Sequence, residues 1–472
     1  MATVTSLGAT REVTGSCHLL ACDGTHILLD CGMHQGGDAV KRLENERFDF
    51  QPADMDAVVL SHAHLDHCGL LPLLVAQGFD GPIFCTPATR NLLAIMLDDA
   101  ASIYLRDLEG LNKRHRRAGR REIAPRYTLD DVVKVLKQCQ TVTFMQDAPL
   151  PGGMTLRFLD AGHILGSAFV TVTGPQDDPW RLVYSGDIGA TDRVLMREPA
   201  IPAASDLVLM EGTYGNRDHR DIDDTVTELE GIIQQASRDG GNILIPAFAV
   251  GRTQELLFHL GCLYHRGLLN NWQVFLDSPM AIEVTRLYDQ WLDAMDKEDV
   301  RVMRHFGAAN LQQFLPCLSL TPNVEESMQI NRMERGAIII AGSGMCTGGR
   351  IRHHFKHRLW QERNHIVFAG FQAKGTLGRK LVDGEDRVSM FGHTFAVRAQ
   401  VHTLGGFSAH AGRSELLNWA GAIAGSPHLR LVHGEEQALE SLAAALEERG
   451  HKVSIAEHGE PFEINIVKQE TE

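Results

Sequence analysis

The sequence predicts an α/β protein, and three features of the chain lead to that prediction. Short apolar runs recur along the first half, and each ends in a small or polar residue, which is typical of buried strands. Stretches with helical apolar spacing, such as residues 69–77 and 92–105, lie between these runs. From residue 243 onwards, four apolar runs are each followed by a glycine- or serine-containing loop, which favours a doubly wound parallel sheet.

The length of 472 residues exceeds what one hydrophobic core usually serves, so we expect two large domains. We predict a first α/β domain over residues 1–212, a second over residues 213–382, and a return to the first over residues 383–472. The predicted strands of the first domain are residues 26–30, 57–61, 156–160, 182–185, 207–211 and 429–433. Those of the second are residues 243–246, 274–276, 337–341 and 366–369.

The composition is that of a soluble globular protein, with 44% hydrophobic and 22% charged residues. No apolar run approaches the roughly 18 residues of a membrane span, and the first residues lack the basic start and apolar core of a secretory signal. The nine cysteines are scattered and form no CxxC pair, which indicates reduced thiols. We therefore expect a cytoplasmic protein without membrane contact.

The formal net charge of −15 argues against a protein whose whole surface is coated in nucleic acid. It leaves room for a nuclease with few, local phosphate contacts. The most basic stretch lies between Lys113 and Arg126. Two interpretations stay open for it, a solvated helix face or a patch that binds a nucleic-acid backbone.

The strongest local signal is the segment His62-Ala63-His64-Leu65-Asp66-His67, which lies between a predicted strand and a predicted helix. In extended backbone, His62 and His64 point to the same side. The following turn lets Asp66 and His67 face a second position. Imidazole and carboxylate ligands together suit zinc, so this segment predicts a metal site.

Three further residues follow predicted strands directly. They are His163 in DAGHILGS, Asp187 in YSGD and His433 in LVHGE. A single histidine at a strand end is most often structural or merely exposed. If these strands run parallel or share an edge, however, all three side chains project onto one rim together with the HxHxDH turn.

The HxHxDH motif, followed by a single His, a single Asp and a final His, resembles the metallo-β-lactamase superfamily. Glu211 in MEGTYG, His410 in GFSAHA and His433 in LVHGE resemble the three motifs of its β-CASP subgroup. A histidine at the third motif is similar to the RNA-processing branch, which includes the endonuclease subunit of the cleavage and polyadenylation specificity factor and its prokaryotic relatives. The resemblance covers nearly the whole chain and implies an αββα sandwich with an inserted Rossmann-like β-CASP domain. Since the chain starts on the first predicted strand, we expect it to lack the N-terminal KH modules of the archaeal relatives.

The resemblance also implies the ligands of two zinc ions per chain, with manganese as the alternative metal. One ion would be held by His62, His64 and His163, and the other by Asp66, His67 and His433. Asp187 would bridge them. Two such ions activate a water for in-line displacement at phosphorus.

Three more carboxylate and imidazole residues receive roles. Asp30 would accept the free N–H of a ligating histidine and fix its tautomer; the alternative is a turn cap. Glu211 and His410 would form an acid pair that protonates the departing 3′ oxygen. Here the alternative is an exposed glutamate and a core histidine.

Several loop residues suit phosphate, because backbone N–H groups, hydroxyls and cationic side chains can hold an anion. They are Ser343, Gly344, Gly348, Arg350, Lys374, Gly375, Thr376 and Ser408, with Arg252 as a weaker candidate. An ordinary turn is the alternative for each. We expect single-stranded RNA to reach the metals through a cleft between the two domains.

The sequence thus predicts a zinc-dependent ribonuclease, chiefly an endonuclease with 5′-3′ exonuclease activity as a second mode. One alternative is a small-molecule metallo-hydrolase of the thioesterase or lactonase type on the same fold. Another is a non-catalytic RNA-processing scaffold, although every ligand position is filled. A homodimer and an RNA-processing complex are the assemblies left open.

Overall fold

The computed structural model describes residues 2–34 and 39–466. Its strands are β1 (Ala2–Ser6), β2 (His18–Cys22), β3 (Thr25–Leu29), β4 (Ala57–Val59), β5 (Ile83–Cys85), β6 (Cys139–Thr141), β7 (Asp147–Pro149), β8 (Thr155–Asp160), β9 (Ala168–Thr173), β10 (Arg181–Tyr184), β11 (Leu207–Glu211), β12 (Ile243–Pro246), β13 (Gln273–Leu276), β14 (Leu318–Leu320), β15 (Ala337–Ala341), β16 (His365–Phe368), β17 (Arg387–Met390), β18 (His393–Ala396), β19 (Gln400–Thr403), β20 (His428–Val432), β21 (Lys452–Ile455) and β22 (Pro461–Glu463). Its α-helices are α1 (Ala39–Asn45), α2 (Leu65–Cys68), α3 (Leu71–Ala76), α4 (Pro87–Arg117), α5 (Leu129–Gln138), α6 (Ile222–Asp239), α7 (Arg252–His265), α8 (Pro279–Gln290), α9 (Lys297–His305), α10 (Leu311–Phe314), α11 (Val324–Gln329), α12 (Ile351–Arg358), α13 (Leu377–Val382), α14 (Arg413–Ala422) and α15 (Glu436–Glu448).

The chain divides into two units. The first unit comprises Met1–Thr191, Glu198–Asp218 and His410–Glu472. It contains two seven-stranded sheets, with strand orders β22-β1-β2-β3-β4-β5-β6 and β21-β20-β11-β10-β9-β8-β7. The second unit comprises Asp192–Arg197 and His219–Ala409.

Alternating apolar side chains hold the two sheets of the first unit together. Leu20 and Val59 of one sheet share a buried cluster with Phe158 and Leu182 of the other, because successive residues of a strand point to opposite faces. On the outer face of the second sheet, a separate buried cluster joins its strands to α14 and α15. On the first sheet, α4 contacts β6. The predicted αββα sandwich is therefore confirmed.

The carboxyl ends of several strands lie at one edge of the second sheet. The strands β10, β11 and β20 pair in parallel, and β9 runs antiparallel to both β8 and β10. The strands β8, β10, β11 and β20 therefore run in the same direction. The residues that follow these four strands therefore lie along one edge of the sheet. This is the arrangement on which the predicted shared rim depends.

The second unit is a doubly wound parallel sheet. Its six strands have the order β14-β13-β15-β12-β16-β19, and every pair is parallel. Ile243 and Ile245 pack with α6, α7 and α8 on one face, whereas Leu244 packs with α12 and α13 on the other. Helices on both faces confirm the predicted Rossmann-like insert.

The units divide the chain differently from the predicted boundaries. We predicted a return to the first domain at residue 383, but the second unit continues to Ala409. The reason is that β19 pairs with β16 and extends the six-stranded sheet. The short segment Asp192–Arg197 also belongs to the second unit, which the apolar pattern did not indicate.

Within residues 2–34 and 39–466, no helix combines the length and the apolar character that crossing a membrane requires.

Candidate metal centre

The HxHxDH segment forms the turn that follows β4. His64 keeps extended backbone angles (φ −67°, ψ 146°) and directly precedes α2, which carries Asp66 and His67. Backbone hydrogen bonds fix this turn, because Ser16 N donates to the Asp66 carbonyl and Cys31 N donates to the His67 carbonyl, each at 2.8 Å. The motif therefore faces its neighbours with a backbone that is already held in place.

A first cluster brings together His62, His64, His163 and Asp187. His64 Nδ1 lies 3.1 Å from both His62 Nε2 and His163 Nε2. Asp187 Oδ2 lies 3.4 Å from His62 Nε2 and 3.3 Å from His163 Nε2. Ligands at about 2.0–2.1 Å around a tetrahedral zinc are about 3.3 Å apart, so these spacings suit such an ion.

A second cluster consists of Asp66, His67 and His433. His433 Nε2 lies 3.7 Å from Asp66 Oδ2, and His67 Nε2 lies 3.2 Å from Asp187 Oδ1. The two carboxylate oxygens of Asp187 thus face different clusters, with Oδ2 toward the first and Oδ1 toward the second. This is the placement that a bridging ligand requires.

Three buried polar atoms at this site test whether a cation fits. His67 Nε2, His433 Nε2 and Asp187 Oδ1 have no hydrogen-bond partner among the described residues. A buried polar atom without a partner is costly unless an ion or another group satisfies it. Because all three point into the clusters, the residues present fit a pair of cations.

The pKa values of the first-cluster histidines favour the neutral form. Burial lowers the pKa of His64 to about 3, and it also lowers the pKa of His62 and of His163. A neutral imidazole is the form that binds zinc. His67 differs, since burial acts to lower its pKa but the carboxylates of Asp187 and Asp30 raise it.

Asp30 lies beneath the second cluster and is fully buried. Its carboxylate accepts hydrogen bonds from His67 Nδ1, the Tyr184 hydroxyl, the Ser61 hydroxyl and the Ser61 backbone N–H, at 2.6–2.7 Å. The bond to Nδ1 leaves Nε2 of His67 facing the second cluster, 3.2 Å from Asp187 Oδ1. Sequence reasoning missed Ser61 and Tyr184, although both adjoin motif positions, immediately before His62 and within YSGD.

Glu211 and His410 are in contact next to the first cluster. His410 Nδ1 lies 3.0 Å from Glu211 Oε1, and Glu211 also accepts the backbone N–H groups of Ile188 and Thr213 at 2.7 and 3.1 Å. Burial acts to lower the pKa of His410, but the carboxylates of Glu211 and Asp187 raise it to about 9. His410 Nε2 lies 3.8 Å from Asp187 Oδ2.

Asp187, Glu211 and His410 also lie close enough together to hold a cation of their own. We favour an acid pair over a third metal site, because the Glu211 carboxylate is already occupied by two backbone N–H groups and an imidazole. An imidazole that donates to a carboxylate through Nδ1 keeps Nε2 for proton transfer.

The predicted phosphate loops lie in the second unit, and their residues differ in availability. Lys374 is exposed and has no ion-pair partner within the described part of the chain. Gly375 has a left-handed φ of 85°. The Thr376 hydroxyl accepts from Arg379 N and donates to the Ala373 carbonyl, which caps α13.

Internal contacts also occupy other candidates in these loops. The Ser343 hydroxyl accepts from Gly348 N at 3.1 Å. Ser408 is buried, and its backbone N–H donates to the Gly406 carbonyl at 3.0 Å. Gly344 packs against the ring of Phe248.

Arg350 does not have the free guanidinium that the sequence suggested. It donates to Asp277 Oδ1 and to the Thr321 carbonyl at 2.7 Å, and to the Pro322 carbonyl at 2.9 Å. Arg252 is likewise buried and paired with Glu255. Arg350 therefore joins the loop after β15 to the ends of β13 and β14, whereas Arg252 pairs with a carboxylate three positions further along its own helix, α7.

The basic stretch at the end of α4 contains both paired and unpaired side chains. Arg126 donates to backbone carbonyls at Leu43 and Glu46, Arg116 pairs with Glu122, and Lys113 pairs with Glu109. Four exposed arginines have no ion pair with any residue the structure describes, namely Arg114, Arg117, Arg120 and Arg121.

Two histidine- and carboxylate-rich clusters share one aspartate at the edge of a two-sheet sandwich, and the chain also contains a Rossmann-like insert. Together these features define a β-CASP metallo-hydrolase fold. The chain belongs to the β-CASP RNA-processing branch of the metallo-β-lactamase superfamily. Residues 19–197 match the description "Metallo-beta-lactamase superfamily domain", residues 253–381 match "Beta-Casp domain", and residues 394–456 match "Zn-dependent metallo-hydrolase RNA specificity domain".

Among known proteins, the chain is similar to Ribonuclease TTHA0252 of Thermus thermophilus, with 41% identity over 97% of this chain and 99% of that protein. It is 32% identical to the Transcription termination factor FttA of Methanocaldococcus jannaschii, over 92% of this chain and 67% of that protein. A crystal structure of a protein of unknown function from Enterococcus faecalis superposes with a TM-score of 0.55 at 13% identity, covering 98% of this chain and 99% of that one. At that identity, the likeness shows the fold alone.

Proposed function

We propose that this protein is a ribonuclease that hydrolyses phosphodiester bonds of single-stranded RNA with two bound zinc ions. The observation that carries the proposal is Asp187, whose two oxygens face two separate ligand clusters while His410 lies beside it. The similarity to a relative named as a ribonuclease supports the substrate class. Manganese is the alternative metal, because the ligands are nitrogen and oxygen atoms.

The proposed ligands follow the two clusters. His62, His64 and His163 would hold one ion, Asp66, His67 and His433 the other, and Asp187 both. When bound, the ions supply an activated water as nucleophile and neutralise charge on the phosphate oxygens. Asp30 holds the His67 imidazole by its Nδ1–H and so fixes which nitrogen faces the cluster.

Glu211 and His410 would deliver the proton that the reaction requires. Glu211 accepts the Nδ1–H of His410, and its charge favours the imidazolium form. The Nε2–H then remains for the 3′ oxygen that leaves the phosphorus. The products of this step are a 3′-hydroxyl and a 5′-phosphate.

The alternative functions predict different behaviour. A thioesterase or lactonase would use the same ligand clusters without needing the second unit. A scaffold without catalysis would need no complete ligand set. Endonuclease action, the additional 5′-3′ exonuclease mode, a homodimer or larger complex, and a cytoplasmic location stay predictions.

Elemental analysis combined with one cleavage assay tests the proposal. The purified chain should carry two zinc ions and cut both a linear and a circular single-stranded RNA, the latter showing endonuclease action because it has no ends. Asp187→Ala should abolish cleavage, whereas Asp177→Ala, which removes an exposed carboxylate between β9 and β10, should not. Failure to cut RNA with either zinc or manganese, or normal turnover by Asp187→Ala, would refute the assignment.

A further inference from the structure

Two exposed phenylalanines stand at neighbouring strand ends in the second unit. Phe248 follows β12 and is 42% exposed, and Phe371 follows β16 and is 44% exposed. Because β12 and β16 are adjacent and parallel, their carboxyl ends, and the loops that carry the two rings, lie side by side. Ligands of doubly wound sheets bind at this edge. We call Phe248 and Phe371 the aromatic pair.

The loop that follows β15 holds one ring of the pair in place. A Cβ atom at Gly344 would lie only 2.7 Å from two carbons of the Phe248 ring, so the ring packs directly on the glycine backbone. Since β15 is the other neighbour of β12, three consecutive strand ends contribute to this surface. One face of the Phe248 ring thus packs on the Gly344 backbone, while the side chain remains exposed to solvent.

A buried glutamine connects the same loops. The Gln372 side-chain amide donates to the Gly344 carbonyl at 3.0 Å and to the Phe371 carbonyl at 3.1 Å. The backbone that carries Phe371 is therefore fastened to the loop that supports Phe248. Exposed aromatic rings on a fixed backbone lose little conformational entropy when a ligand stacks on them.

A cationic group lies next to the pair in the chain. Lys374 is exposed three positions after Phe371 and has no ion-pair partner among the described residues. Aromatic rings that stack bases, together with a cation for the backbone, are the means by which proteins bind single-stranded nucleic acid without sequence preference. A duplex would keep its bases stacked inside, where the two rings cannot reach them.

We infer that the aromatic pair stacks unpaired bases of the RNA substrate, with Lys374 contacting an adjacent phosphate. The inference rests on the proposed ribonuclease function. It gives the second unit a base-binding surface with no sequence code, because every base has a face that can stack.

The test compares intact RNA with an RNA analogue that lacks bases. Affinities for oligouridine and for an abasic ribose-phosphate oligomer of equal length are measured in the Asp187→Ala background, so that the RNA is not cut. The double change Phe248→Leu and Phe371→Leu should weaken oligouridine binding by about tenfold or more and leave abasic binding unchanged. The matching change to tyrosine at both positions should preserve the affinity, because the stacking face is retained.

Phe391→Leu is the matched control, since Phe391 is 44% exposed in the same unit but lies in the turn between β17 and β18. The metal content of the leucine double variant with Asp187 intact should equal that of the unaltered chain, because neither phenylalanine belongs to the ligand clusters. Equal weakening for both oligomers, or no weakening for either, would overturn the inference. A chain that fails to cut RNA at all would instead refute the proposed function, whatever the binding results.

Discussion

Asp30 shows how much of the candidate centre depends on a single buried carboxylate. The residue adopts a left-handed φ of 61°, which costs energy for a residue with a side chain. In that conformation its oxygens accept hydrogen bonds from His67, Tyr184 and Ser61 together. The surrounding contacts offset the backbone strain and fix the His67 ring.

Asp30→Asn should weaken metal binding while leaving the chain folded. Asparagine tolerates the left-handed region, but its amide group places a donor where the carboxylate accepts from His67 or Ser61. Loss of such a supporting contact typically costs about 10- to 100-fold in metal affinity. Competition with a chelator measures the effect, and Asp56→Asn, which alters an exposed carboxylate that accepts the backbone N–H of His26, should change nothing. Equal affinities would show that Asp30 does not orient the ligand.

His410→Ala should lower RNA turnover by about 10²- to 10⁴-fold and leave metal content intact, because general acid catalysis has that magnitude. Protonation matters less when the leaving group is already stable, so the loss should be smaller for a nitrophenyl phosphodiester. Steady-state rates on the two substrates measure this. Glu211→Gln should show the same pattern in weaker form, since it removes the charge that favours the imidazolium. The same loss on both substrates would indicate a positioning role for His410.

At the scale of elements, the sequence predicted the strands whose apolar runs are buried on both faces. The bounds of β11, β12 and β15 agree with the predicted ones because every residue in those strands is buried. The strands β6 and β7 gave no such signal because most of their residues are not buried, and β5, although fully buried, is only three residues long. Helix α4 has 31 residues. The predicted helix ended at residue 105, well before the observed end, because no residue of α4 beyond Leu108 is buried.

The ligand motif could be predicted because its four polar residues lie close together in the sequence, between His62 and His67. The loop arginine Arg350 could not be assigned correctly, because its carboxylate partner Asp277 lies on another strand end. The same holds for Tyr184, whose hydroxyl reaches Asp30 across the sandwich. Proximity in space, which the fold alone creates, decided these roles.

Helix α9 contains a carboxylate that should make stability depend on pH. Burial raises the pKa of Asp299 to about 6, against a hydrogen bond from Leu195 N. A folded pKa above the unfolded value of 3.8 means that this residue's stabilising contribution is present below about pH 4. That contribution is lost as the pH rises through 6.

Asp299→Asn should therefore raise the thermal midpoint at pH 7.5 and have little effect near pH 4. The amide oxygen can still accept from Leu195 N, and the buried charge is gone. A gain of about 1 kcal/mol corresponds to roughly 2–4 °C for a unit of this size. Thermal unfolding at both pH values measures it, with Asp293→Asn as the exposed control on the segment before α9. A midpoint difference that does not vary with pH would contradict the pKa assignment.

At the scale of the whole molecule, the net charge of −15 limits how RNA can be attracted. Affinity must come from a few local cations and from the metal centre, because the overall charge repels a polyanion. Each phosphate neutralised on a single strand contributes roughly −0.7 to the slope of log affinity against log salt. We therefore expect a shallow salt dependence.

Lys374→Ala should reduce that slope by about 0.7 and weaken binding to unrelated RNA sequences equally, since phosphate contacts carry no sequence information. A salt titration in the Asp187→Ala background measures both quantities. Lys297→Ala changes the net charge by the same amount at an exposed position at the start of α9, and it should leave the slope unchanged. If Lys374→Ala has no effect, the four unpaired arginines from Arg114 to Arg121 become the better candidates for the RNA contact.

The order in which the ribosome makes the site residues has a consequence for the cell. His62 to His67 emerge early, whereas His410 and His433 follow the entire second unit. At about 5–20 residues per second, roughly 20–70 s of synthesis separate the two groups. A nascent chain during that interval lacks both the proposed proton donor and the last ligand of the second cluster. A ribonuclease arranged in this way would stay inactive beside its own messenger RNA until the whole second unit and the strand β20 have been made.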